Sequence, residues 1–177
     1  MNTLKIIKKI LLLFIFTIFT NSTQAADSLK RLDISIPFPK LAILNSKEKS
    51  FIFDFENNTI KNGYIINFWA TWCIPCKKEL PDLSSLNVKL KKHNIVVLTI
   101  SIDKKNIKDQ LSFLFNNGAS DLSHFFDKEM KIYKSLKLRG IPTTVLVNKK
   151  GLIVSKHEGI LKWGEDKVVK NVIKLLN

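Results

Sequence analysis

The chain is poor in the residues that build crosslinked or repetitive architectures. It holds two cysteines, six glycines and five prolines in 177 residues. So few cysteines exclude a disulfide-stapled scaffold. No second CxxC pair is present to complete the four-ligand set of a structural zinc site, and His93, His124 and His157 stand at no ligand-like spacing from the cysteines or from each other. No internal repeat or low-complexity tract marks a solenoid, a linker or a second domain. Acidic side chains are scarce as well: 15 Asp and Glu face 29 Lys and Arg, a formal net charge of +14. Such a balance suits nucleic acid or an anionic surface. The lysines are scattered, however, from Lys30 and Lys47 through Lys104 to Lys167, and form no basic block interleaved with aromatics. They describe a solvated surface rather than a nucleic-acid partner.

Also absent is an apolar run of the about 20 residues that a bilayer-spanning helix needs. The longest, Ile10 to Phe19, is broken by Thr17 and ends before Asn21. Lys5, Lys8 and Lys9 precede it, and Thr23-Gln24-Ala25 offers small residues for cleavage after Ala25, the layout of a secretory signal peptide. Residues 1–26 are therefore set apart as a signal peptide, the alternative being a retained anchor that gives membrane association through the N-terminus. No cysteine near the cut is available for a lipid anchor. Residues 27–177 then form one domain of 151 residues with 26 basic and 15 acidic side chains, net +11, long enough for a real core.

Within that domain residues 27–49 read as an extended lead-in. Phe51, Phe53 and Phe55 alternate with Ile52 and Asp54 as a strand would, with a return over 59–61 predicting an N-terminal β-hairpin. Residues 64–69 and 95–102 are apolar runs of the kind buried on both faces. Residues 77–91 predict a helix on Leu80, Leu83, Leu86 and Leu90, kinked at Pro81. A helix over 106–117 should turn Ile107, Leu111, Leu114 and Phe115 inward. A short strand at 122–126, a short helix at 128–136, a hairpin from 143–147 and 152–157, and a closing helix over 164–176 complete an α/β layer fold with a mixed central sheet.

What the chain does have is both cysteines in one motif, Trp72-Cys73-Ile74-Pro75-Cys76. A two-residue spacer removes little loop entropy, so the pair is poorly explained as a structural staple. At the start of a helix, unpaired N–H groups and the positive end of the dipole would favour the Cys73 thiolate, the attacking species in thiol–disulfide exchange. Cys76, one turn on, would then break the mixed disulfide. Pro75 fits a first turn, where its missing N–H costs little.

The stretch Phe68-Trp69-Ala70-Thr71-Trp72-Cys73-Ile74-Pro75-Cys76-Lys77-Lys78-Glu79-Leu80-Pro81, with Gly140-Ile141-Pro142-Thr143-Thr144 further on, resembles the thioredoxin superfamily, and within it the TlpA/ResA-type exported thiol–disulfide oxidoreductases. The likeness runs over residues 35–176 and implies a thioredoxin fold. It makes Cys73 an exposed nucleophile and Cys76 a shielded resolving thiol, joined as a redox-active disulfide. It makes Pro142 a cis-proline facing the pair, sets the Ile141 backbone against a substrate strand and packs Trp72 beside the site. Ordinary thioredoxins carry a buried Asp where this chain has Asn67, whose amide does not titrate. In the TlpA/ResA-type branch a glutamate three residues past the second cysteine lies near the site. Glu79 holds that position and is a candidate proton partner of Cys76, the alternative being a surface helix glutamate paired with lysine.

The resemblance implies a periplasmic reductase, soluble or anchored to the inner membrane. It needs no cofactor or metal, draws electrons from a membrane thiol carrier, and acts on protein disulfides such as apocytochrome c in cytochrome c maturation. A disulfide-donating oxidase is a second reading, although the strong oxidants of the DsbA type carry Pro-His between their cysteines and an inserted helical domain. A copper-delivery protein of the same fold is a third, although those carry CxxxC and a histidine ligand. The superfamily's thiol peroxidases lack the CxxC.

Overall fold

The computed structural model describes residues 29–55, 57 and 61–177. The expected signal segment and all but Lys61 of the return strand over 59–61 lie outside those residues. Chain order is β1 (Arg31–Pro37), β2 (Ile43–Asn45), β3 (Ser50–Phe51), β4 (Gly63–Trp69), α1 (Ile74–Leu90), a 3-10 turn (Lys91–His93), β5 (Ile95–Ser101), α2 (Ile107–Asn116), β6 (Ser123–Phe126), α3 (Lys131–Ser135), β7 (Thr143–Asn148), β8 (Leu152–Glu158) and α4 (Asp166–Leu176).

All these strands share one eight-stranded sheet in the order β1-β8-β7-β4-β5-β6-β2-β3. β4–β5 and β5–β6 are parallel and the remaining pairings antiparallel, which is the mixed sheet of a thioredoxin fold. β4 lies at its centre with every residue buried, as its apolar run requires. α1 and α4 pack against each other and against β5 and β7. The approach is close: a Cβ on Gly63 would lie 2.9 Å from the Leu176 side chain. α1 buries Cys76, Glu79, Leu80, Leu83, Leu86 and Leu90, a stripe at three- and four-residue steps. The helix runs unbroken through Pro81.

Three expectations are corrected. The N-terminal hairpin exists, but it joins β2 to β3; residues 52–55 belong to no strand. Phe53 and Phe55 are buried while Ile52 is exposed, so the alternation reports side-chain packing. Phe38 meets Phe53 and Phe55 edge-on, each with ring centroids 5.4 Å apart, and such contacts anchor the segment to the core. The lead-in also contains β1, an edge strand paired with β8. On α2 the buried residues are Ile107, Gln110 and Leu114, while Phe115 is 72 % exposed. One residue past Leu114 is a rotation of about 100°, which carries Phe115 off the buried face.

The register brings three chain segments to one end of the sheet. Phe68 pairs with Thr143 and Trp69 with Ser101. The segments leaving β4 and β5 and the one entering β7 therefore converge there.

Candidate functional site

The β4–α1 connection is pinned before it reaches the first cysteine. Cys73 N–H donates to Ala70 O at 3.1 Å. The Thr71 N–H donates to Asp103 Oδ2 at 3.1 Å, and the Thr71 hydroxyl donates to the same oxygen. Asp103 follows β5, and its other oxygen accepts the Lys105 N–H at 3.0 Å. Burial works against ionising Asp103, but the hydrogen bonds from Thr71 and Lys105 outweigh it and hold the carboxyl below its ordinary range.

Cys73 is the N-cap of α1: its backbone is extended, and its sulfur accepts the Cys76 N–H at 3.2 Å. One of the orphan donors of the first turn is thereby aimed at the sulfur. Cys73 and Cys76 are joined as a disulfide with Cα atoms 5.3 Å apart. The expected exposure of Cys73 needs correction: it is 4 % exposed and Cys76 0 %. The sulfur is tucked under the helix start, and the side chains that protrude are its neighbours Trp72, at 64 % exposure, and Ile74, at 71 %.

The Ile141–Pro142 peptide bond is cis. Pro142 immediately precedes β7, at the sheet end where α1 begins. Its carbonyl accepts the Gly159 N–H at 2.8 Å, and the Thr143 hydroxyl donates to Gly140 O at 2.7 Å. Among the described residues neither backbone group of the half-buried Ile141 makes a hydrogen bond.

Glu79 lies one helical turn past Cys76 on the same buried face of α1. It is 1 % exposed and is no surface partner of a lysine. Asn67 Nδ2, from β4, donates to Glu79 Oε1 at 2.7 Å and also contacts Thr144 Oγ1 at 2.9 Å. Trp163 Nε1 donates to Glu79 Oε2 at 3.1 Å. Burial is the largest influence and pushes the carboxyl up to about 7, against the hydrogen bonds from Trp163, Asn67 and the Leu161 backbone.

Sequence reasoning missed Trp163, Thr144 and Asp103. Trp163 sits in the loop before α4, 84 residues from Glu79, where no periodicity announces its burial. Asp103 carried one local signal, an acidic residue just beyond a buried strand. His157 packs edge-on against Trp163, with centroids 6.0 Å apart. His124 on β6 meets Thr99 Oγ1 through Nδ1 at 2.7 Å.

Residues 37–156 match the AhpC/TSA family. Among curated relatives the chain is 31 % identical over 131 residues to the thiol-disulfide oxidoreductase ResA of Bacillus cereus, covering 68 % of this chain and 72 % of that protein. It is 30 % identical over 112 residues to the ResA of Halalkalibacterium halodurans, where the match spans 62 % of the relative's length. In fold it is similar to a putative thiol:disulfide interchange protein DsbE from Chlorobium tepidum, with a TM-score of 0.69 and 22 % identity over 82 % of this chain and 99 % of that one.

Proposed function

The chain belongs to the AhpC/TSA family, among its ResA-type thiol–disulfide oxidoreductases, and from that footing we propose that it is an exported reductase of protein disulfides working through Cys73 and Cys76. The observation that carries this reading is the buried carboxyl of Glu79 one turn beyond the buried Cys76.

In the reduced protein the Cys73 thiolate attacks one sulfur of a substrate disulfide. That S–S bond breaks, a mixed disulfide forms, and the displaced substrate sulfur takes up a proton. Cys76 then gives its proton to the Glu79 carboxylate and attacks Cys73 Sγ. The Cys73–Cys76 disulfide closes, the second substrate sulfur leaves, and two electrons have passed to the substrate. Glu79 acts here as the general base for a thiol with no access to water.

The reductase direction is supported by what stabilises each redox form. Strong oxidants owe their potential to a stabilised reduced state. Here both cysteines are buried and a buried acid follows one helical turn past Cys76, which disfavours extra thiolate charge. The exposed Trp72 flanks the pair, and the Ile141 main chain beside Pro142 offers the pairing edge for an extended substrate. Oxidised CxxC segments, such as that of apocytochrome c before haem attachment, fit the ResA likeness, as does a membrane thiol carrier as electron donor. Residues 1–26 would direct residues 27–177 to the periplasm, released or tethered to the inner membrane. Among the described residues no helix is long and apolar enough to cross a membrane.

The test is the reduction potential of the Cys73–Cys76 couple against a glutathione or dithiothreitol series. A value well below about −200 mV supports a reductase, and one near about −120 mV identifies a disulfide donor instead.

A further inference from the structure

The groups around Glu79 are unusually one-sided. Its carboxyl receives Asn67 Nδ2 on one oxygen and the Trp163 indole N–H on the other, and the Leu161 main chain adds a further donor. An indole N–H and a backbone N–H can only donate. Neither can turn round to accept from a protonated acid. These groups are matched to the carboxylate, whereas burial alone favours the neutral acid. Without them a glutamate this deep would stay protonated and could not take a proton from a thiol.

Resting on the proton exchange between Glu79 and Cys76 proposed above, we propose that Trp163 is a positioning residue of the reaction, its indole N–H fixing Glu79 Oε2 toward the carboxylate form that accepts the resolving thiol's proton. The placement is over-determined. Trp163 is fully buried, and its backbone N–H donates to Leu161 O at 2.9 Å. His157 meets the ring edge-on at an interplanar angle of 88°. His157 is the register partner of Thr144, and Thr144 holds Asn67, which holds the other carboxyl oxygen. Residues from β4, β7, β8 and the loop after β8 thus close a ring about one acid on α1. The other titratable groups facing it are Asp82 farther along α1, whose charge disfavours the carboxylate, the Cys73–Cys76 pair, and His157 behind the indole.

The experiment follows the Glu79 carboxyl by carbon-13 NMR in the full chain, oxidised and reduced. In parallel, the pH profile of mixed-disulfide resolution by Cys76 is measured. Trp163→Phe keeps the aromatic bulk and removes the donor. Replacement by benzothienylalanine keeps the two-ring shape and also removes it, which guards against a packing defect in the phenylalanine variant. Loss of a hydrogen bond to a charged group moves the Glu79 midpoint upward by about one pH unit or more, and the resolution profile moves with it. A Glu79 midpoint unmoved in both variants, while Glu79→Gln still alters the resolution profile, overturns the role of Trp163 alone. A resolution profile unchanged by Glu79→Gln overturns the proton exchange itself, and this inference with it.

Discussion

Asn67 and Glu79 meet as a sealed polar pair, the amide of one donating to the carboxyl of the other at 2.7 Å, with neither more than 1 % exposed. The amide that cannot titrate donates to the carboxyl that can. A carboxyl held near 7 matches the proton-transfer requirement at neutral pH, where a general base works best with a pKa close to the working pH.

Replacing Glu79 with Gln preserves the shape but removes the proposed base, and it turns an amide NH2 toward donors. Resolution of the mixed disulfide should slow on the order of a hundredfold, with initial attack by Cys73 much less affected. Stopped-flow measurement of the two phases separates them.

The same acid leaves a signature in stability. Glu79 is raised from its ordinary 4.5 to about 7, so its contribution is fully present below pH 4.5 and is lost as pH rises through 7. His124 runs the other way: burial lowers it from 6.5 to about 4, so its contribution is fully present above pH 6.5 and is lost as pH falls toward 4. Each amounts to at most about 3 kcal/mol, and between pH 4.5 and 6.5 they oppose. Denaturant midpoints across that window should fall with falling pH in Glu79→Gln and rise with falling pH in His124→Asn. Slopes of one sign in both variants would refute this.

Cys76→Ser leaves Cys73 able to attack and takes away the thiol that closes the cycle. Partner proteins should accumulate as mixed disulfides on non-reducing gels and disappear on reduction. The additional change Cys73→Ser should abolish them; adducts that persist would mean that another nucleophile is at work.

Trp72 offers a large apolar face beside the sulfurs, being 64 % exposed. Trp72→Ala should raise KM for protein disulfides several-fold, about 1–2 kcal/mol of lost contact, while the thermal midpoint stays within a few degrees of the parent. Turnover of a small disulfide reagent should be nearly unchanged.

Phe53 packs against Phe38, Phe51, Phe55 and Phe125 in a segment that belongs to no strand. Phe53→Ala should destabilise the fold by about 3–5 kcal/mol, measured by urea denaturation, with the reactivity of Cys73 in the remaining folded protein unaltered.

What the sequence disclosed follows the range over which the physics acts. β4, α1 and the CxxC at their junction are local: an apolar run, a helical stripe and an N-cap can each be read within about 17 residues. Glu79 lies on the same stripe as Leu80 and Leu83, and the family likeness places it near the site, but the sequence leaves its burial open against a surface pairing with lysine. β1 was not legible, because it is held by pairing with β8 rather than by its own pattern, and Ile34 is 79 % exposed. Trp163 was not legible either, because it reaches Glu79 only after β8 and its loop return across the sheet. Phe115 shows that an apolar residue does not by itself define a buried face; Gln110, a polar one, occupies it through bonds to the Asp103 and Lys105 carbonyls.

The three tryptophans occupy contrasting surroundings: Trp69 and Trp163 have no exposure, while Trp72, the residue before Cys73, is 64 % exposed. A disulfide next to an indole quenches its emission, and a soluble quencher such as iodide reaches only a ring in contact with solvent. The molecule therefore carries a native optical indicator of its own redox state: the iodide-sensitive fraction of its fluorescence should brighten when the Cys73–Cys76 bond opens.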